Sequence, residues 1–140
     1  MYKLGYTTGV FDLFHIGHLN ILRRAKEQCE YLIVGVSTDE LVQSYKNKTP
    51  MIPFEERIQI VEAIKYVDEV VAQETLDKVV AFSRLKYDVL FQGDDWKGSP
   101  VYCETISKFE DFEEKNVKVI LLPRTEGTSS TLLKDVLNKI

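Results

Sequence analysis

The chain has two histidines, His15 and His18, three residues apart with Gly17 between them. They close the stretch Gly9-Val10-Phe11-Asp12-Leu13-Phe14-His15-Ile16-Gly17-His18, which follows an apolar run from Leu4 and opens onto a helical pattern. Where a strand gives way to a helix, free backbone N–H groups and the positive end of the helix dipole point into the junction, which makes it an anion site. An imidazole there adds a donor that can follow charge developing on a phosphate. Gly17 lets backbone approach a bulky polyanion with no Cβ in the way. The competing reading, two ordinary first-turn histidines, does not explain why both fall in one loop.

Other residues suit the same chemistry. Lys46-Asn47-Lys48 is a small basic island, and Arg57, Lys78 and Arg124 are isolated cations that a fold could gather. Arg124-Thr125-Glu126-Gly127-Thr128-Ser129-Ser130-Thr131 puts hydroxyls and N–H groups at the start of a last helix, a second anion nest. Asp95 stands beside Trp96, the single tryptophan. Histidine, lysine, arginine and threonine are the side chains that position and neutralise phosphates; a hydrolase built on paired carboxylates would look different. Each has a plainer alternative: a solvated loop for the lysines, a surface salt bridge from Arg57 to Glu55 or Glu56, an N-cap for one serine, packing for Trp96.

The 140 residues suffice for one domain, 1–140, with a real core. Hydrophobic residues make up 44% and charged residues 29%, as in soluble globular proteins. A net charge of −4 argues against a general nucleic-acid binder but not against a nucleotide, where local charge decides. No apolar run is long enough to span a bilayer and Tyr2-Lys3 leads directly into a strand pattern, so a cytoplasmic location without membrane insertion is expected. Cys29 and Cys103 are far apart, outside any CxxC arrangement, and read as reduced packing residues without zinc.

The apolar pattern alternates between short β-branched runs and helical periods. Strands are expected over 4–8, 31–37, 67–71, 88–92 and 117–122, and helices over 16–29, 54–65, 76–85, 102–115 and from Ser129 or Ser130 to Lys139. Loops are expected over 46–53, broken by Pro50 and Pro53, and over 93–100. That alternation predicts an α/β fold: a doubly wound parallel five-stranded sheet with helices on both faces. Ligands of such sheets bind beyond the carboxyl ends of the strands, where segments 9–18, 93–98 and 123–130 all lie.

The histidine loop resembles the HxGH signature of the nucleotidyltransferase superfamily, and within it the cytidylyltransferases, most of all those that use glycerol 3-phosphate. Lys46-Asn47-Lys48, Glu56-Arg57, Tyr66-Val67-Asp68-Glu69-Val70, Gly93-Asp94-Asp95-Trp96 and the Arg124–Thr131 run match in order along nearly the whole chain. The resemblance implies transfer of CMP from CTP to a small phosphorylated alcohol, with pyrophosphate released. It implies catalytic roles for His15, His18, Lys46 and Arg124. It implies a nucleotide site of Gly9, Val10, His15, Gly17, His18, Lys48, Arg57, Asp95, Arg124, Thr125, Gly127, Ser129, Ser130 and Thr131, and acceptor contacts from Lys46 and Lys78. Mg2+ would be carried mainly by the CTP phosphates, with no protein ligand assigned. A homodimer is implied through the Tyr66–Val70 segment, with Lys65 facing an acidic group of the second copy; an interior strand with Lys65 in solvent is the alternative.

The match has departures. Val10 replaces a usual hydroxyl residue, Lys65 an arginine, and Gln73-Glu74-Thr75-Leu76 a stretch that usually holds a tryptophan. Acceptors other than glycerol 3-phosphate are phosphoethanolamine and phosphocholine; an adenylyltransferase and a non-catalytic nucleotide-sensing module are the remaining readings.

Overall fold

The computed structural model describes residues 1–93, 117–123 and 136–137. Five strands form one sheet: β1 (Tyr2–Gly9), β2 (Cys29–Ser37), β3 (Glu69–Gln73), β4 (Val89–Gly93) and β5 (Lys118–Leu122). Their order is β3-β2-β1-β4-β5, and every pairing is parallel. The helices are α1 (Ile16–Lys26), α2 (Asp39–Lys46), α3 (Phe54–Glu62) and α4 (Lys78–Leu85).

The sheet has two buried faces, as a parallel sheet requires. Leu22 and Ala25 of α1 and Val61 of α3 pack with Leu32, Val34, Val36, Val89 and Phe91 on one face. Phe82 of α4 packs with Tyr6, Ile33, Tyr87 and Leu90 on the other. The expected doubly wound architecture is therefore present. The chain steps outward from β1 to β3, then returns to the other side of β1 for β4 and β5. That reversal creates a crevice at the carboxyl ends of β1 and β4, where such folds take ligands.

Several boundaries differ from expectation. Helix α1 stops at Lys26, and Cys29 opens β2, its thiol donating to the Ala25 carbonyl at 3.4 Å. A helix not foreseen, α2, forms where the sequence reads as polar loop; the Thr38 side chain caps it, accepting from the Leu41 N–H at 3.2 Å. Lys46 is its last residue rather than the first of a loop. Strand β3 runs Glu69–Gln73, two residues later than expected, and it is the sheet's edge, not an interior strand. The expected helix over 102–115 lies outside the described residues, as does the tail helix except for 136–137.

Candidate active site

Helix α1 starts with a capping box made of two imidazoles. His15 is the N-cap in extended conformation, and its Nδ1 accepts from the Gly17 N–H at 3.0 Å. His18 Nδ1 accepts in return from the His15 N–H at 3.2 Å. The rings stack with centroids 3.9 Å apart. A ring nitrogen that accepts a hydrogen bond cannot carry a proton, so each neutral histidine holds its proton on Nε2. Burial, then the neighbouring His15, pushes the His18 pKa down to about 3 against a weaker upward pull from Asp12. Burial also lowers that of His15. The pair thus presents two neutral Nε2–H donors at the positive end of α1. The rings of Phe11 and Phe14 lie 5.4 and 5.2 Å from that of His18 and fix its plane.

The loop before the helix is shaped for this. Phe11 and Leu13 both have left-handed backbone, φ 55° and 50°, an unfavourable choice for bulky residues that cluster at functional loops. Phe11 folds back over Gly9, where a Cβ would meet its ring at 2.9 Å, so glycine is required there.

Asp12, 2% exposed, explains how the loop holds. Its Oδ2 accepts from the Met51 N–H and its Oδ1 from the Ile52 N–H, both at 2.9 Å. One buried carboxylate therefore ties the histidine loop to the segment that carries Lys46 and Lys48. Sequence reasoning missed Asp12; its signal was a lone acid inside an otherwise apolar loop.

Arg57 corrects an expectation. Neither phosphate contact nor a surface salt bridge to Glu55 or Glu56 fits, because the side chain is 0% exposed and all three guanidinium nitrogens donate within the protein. Its Nε donates to the Ile52 carbonyl at 2.8 Å. One terminal nitrogen donates to the carbonyls of Val10 (2.7 Å) and Ser37 (2.8 Å), and the other to Asp39 Oδ1 (2.6 Å). Arg57 is the keystone under the loops after β1 and β2, a positioning residue rather than a ligand contact. Val10, expected at the nucleotide, turns its carbonyl to Arg57, and the Gly17 N–H goes to His15.

Lys46 and Lys48 are exposed around Asn47, whose left-handed backbone (φ 53°) turns the chain at the end of α2. Lys78, 1% exposed, begins α4, and its Nζ donates to Thr8 Oγ1 at 2.8 Å, at the carboxyl end of β1. Burial lowers its pKa to about 7. The structure thus brings His15, His18, Lys78 and the Asp12-tethered lysine loop to one end of the sheet. Asp95, Trp96, Arg124, Thr125, Gly127, Ser129, Ser130 and Thr131 lie outside the described residues.

Among the described residues no three histidine, cysteine, aspartate or glutamate side chains group as a metal would need, and no helix is long and apolar enough to cross a membrane.

The model of the cytidylyltransferase-like family matches residues 6–136. The chain belongs to this family. It is 41% identical over 130 residues to a glycerol-3-phosphate cytidylyltransferase of Bacillus subtilis (strain 168), covering 92% of each chain. It is 40% identical over 119 residues to an FAD synthase of Pyrococcus horikoshii, covering 82% of this chain and 76% of the relative. Among solved structures, a lipopolysaccharide core biosynthesis protein of Thermoplasma volcanium GSS1 superposes with a TM-score of 0.75 at 24% identity, covering 90% of this chain and all of that one, a likeness of fold. This cytidylyltransferase-like protein is an enzyme, a nucleotidyltransferase, and the resemblance carried by its motifs holds over the chain.

Proposed function

We propose that the enzyme joins CMP from CTP to glycerol 3-phosphate, giving CDP-glycerol and pyrophosphate. The observation that carries the chemistry is the reciprocal histidine cap. A phosphate monoester near neutral pH is already an anion, so its oxygen attacks the α-phosphorus without a general base. The forming bond is P–O to the acceptor; the breaking bond is P–O to the β-phosphate, and pyrophosphate leaves with the electron pair. The need is for fixed donors where charge grows on a crowded phosphorus. His15 and His18 meet it with Nε2–H groups that need no reorganisation. Their Nδ1 atoms accept from backbone, which leaves them unsuited to act as bases.

Magnesium, when bound with CTP, supplies charge neutralisation on the triphosphate oxygens. Asp12, the carboxylate of the histidine loop, already accepts a backbone N–H on each oxygen, which supports an ion carried mainly by the triphosphate.

Lys46 and Lys78 serve the acceptor and Lys48 the nucleotide; Asp95 and the Arg124–Thr131 run complete the nucleotide side. The choice of glycerol 3-phosphate is supported by the 41% identical relative of that name and the matched segments. The FAD synthase relative favours keeping adenylyl transfer as the second reading.

We also propose a cytoplasmic homodimer. Strand β3 is a sheet edge, so a second copy can approach Tyr66–Val70. Lys65 lies over the Tyr66 ring, its Nζ 5.2 Å from the centroid. Asp68 is held by Lys26 at 2.6 Å and Glu69 by the Tyr31 hydroxyl at 3.0 Å, so a partner's Lys65 would join pairs that already exist.

A pyrophosphate-release screen of four nucleotides against phosphorylated alcohols tests the function. Turnover with CTP and glycerol 3-phosphate is expected; turnover only with ATP would overturn it.

A further inference from the structure

The face of the sheet under α4 ends in a row of polar side chains. Tyr6, Ile33 and Leu90, with Val71 against them, form its apolar layer. Side chains alternate along a strand, so the residues one or two pleats further on share that face. These are Thr8 on β1, Ser37 on β2, Gln73 on β3 and Gln92 on β4. Lys78 joins the row through its bond to Thr8. Ser37 and Gln73 are directly paired in register, and Thr8 pairs with Gly35, one pleat before Ser37.

Gln73 is 5% exposed and rigidly held. Its backbone carbonyl accepts from the Thr38 N–H at 3.1 Å. Its Oε1 accepts from Ser37 Oγ at 2.9 Å, which orients the carboxamide. Its Nε2 is buried and has no partner among the described residues. A buried donor without an acceptor is unfavourable, and natural structures keep one where a role requires it. Here it stands at the carboxyl end of a strand, on the connection whose other end is Lys78.

We propose that Gln73 is a specificity residue, its Nε2–H donating to a hydroxyl oxygen of the acceptor while Lys78 meets the acceptor phosphate. This rests on the reading of the acceptor as a phosphorylated polyol. The strands of Thr8 and Gln73 lie two spacings apart and the two residues are one pleat out of level, a span of about 12 Å. The lysine and glutamine side chains shorten that span from both ends, which suits a chain of about three carbons. An acceptor without a hydroxyl in reach leaves the amide unpaired, and sites built this way discriminate strongly.

The test compares kcat/KM, at saturating CTP, for glycerol 3-phosphate, 3-hydroxypropyl phosphate and 2-hydroxypropyl phosphate. The two analogues each lack one hydroxyl. The native enzyme should prefer glycerol 3-phosphate to at least one analogue by about 10-fold or more. Gln73→Leu should reduce that preference to within about twofold and leave the KM for CTP unchanged. Since Gln73→Leu alone leaves Ser37 without its acceptor, the Ser37→Ala/Gln73→Leu pair is measured beside it, with the melting temperature of each. An equal loss on all three acceptors, or no preference in the native enzyme, overturns the role of Gln73 and leaves the polyol reading standing. If the native enzyme uses none of the three but does use another phosphate ester, the polyol reading itself has failed and the role of Gln73 falls with it.

Discussion

Replacing His18 with alanine separates the catalytic function proposed for this ring from the structural one the fold shows. One is catalytic: an Nε2–H donor held at the start of α1. Loss of one preorganised donor to developing charge lowers turnover by about 10²–10³-fold, or about 2.7–4 kcal/mol of barrier. The other is structural: Nδ1 accepts from the His15 N–H at 3.2 Å, half of the capping box. Loss of such a cap costs about 1 kcal/mol, which for a chain this size lowers Tm by about 2–4 °C. Burial opposes this, because a neutral buried imidazole resists the proton that the unfolded chain accepts. The His18 pKa is lowered to about 3, so between that pH and about 6.5 the unfolded state binds the extra proton. Stability from this residue is complete above about pH 6.5 and drains away as pH falls toward 3. His18→Ala should therefore melt slightly earlier at pH 7.5, lose less stability on acidification, and turn over at least a hundredfold more slowly. Pyrophosphate release at saturating substrates, with melts from pH 7.5 to 4, reads all three. A variant that melts several degrees earlier but keeps its kcat would make His18 a capping residue only.

Arg57→Ala removes the donor to Asp39 Oδ1 and to the Val10, Ser37 and Ile52 carbonyls, and a loss of about 3–5 kcal/mol is expected. Denaturant unfolding checks it, and a native-like midpoint would refute the keystone role. Lys46→Ala and Lys78→Ala should raise the acceptor KM more than the CTP KM; equal effects would break their assignment. Lys78→Met should also raise Tm near pH 7. The lysine pKa is lowered to about 7, so its stability is present above about 10.5 and lost as pH falls through that interval; a Tm unchanged from pH 7 to 10 relative to the native enzyme would contradict this. Light scattering at micromolar concentration should give twice the 16.2 kDa chain mass, and a fully active species at one chain mass would remove the dimer.

The architecture was legible because its signals are local. Five β-branched runs separated by helical periods leave little choice but a parallel sheet. The misjudged boundaries share one cause: tertiary packing overrode local pattern. Cys29 continues the helical spacing of Leu22 and Ala25, yet it serves the same buried face as the first residue of β2. The β3 run reads from Val67, but Val67 N donates to the Ile64 carbonyl in a turn and pairing with β2 starts only at Glu69. Helix α2 was hidden by polar composition; its Thr38 cap and first-turn Asp39 and Glu40 were the available signs.

The site divides along the same line. Residues proposed to meet a ligand stood out in the sequence, because histidine and glycine at a strand-to-helix junction have few other uses. Residues that hold the loops in place were not, because their partners are distant backbone groups. Asp12 bonds to residues 39 and 40 positions away, and Arg57 to one 47 positions away. No spacing rule encodes those contacts. Arg57 looked like a phosphate ligand for the reason that makes it a keystone: a planar fork of donors suits carbonyls and carboxylates as well as phosphates. What decides between the two is that its donors are already spent on Ile52, Val10, Ser37 and Asp39, and those partners belong to the fold. The capping box shows the reverse case. From sequence the two imidazoles read as donors to phosphate, with ordinary first-turn histidines the competing reading; the structure adds that each closes the helix start through Nδ1. Protonating either ring at Nδ1 would open the cap, so the neutral, Nε2–H form that suits phosphoryl chemistry is the form the fold itself selects.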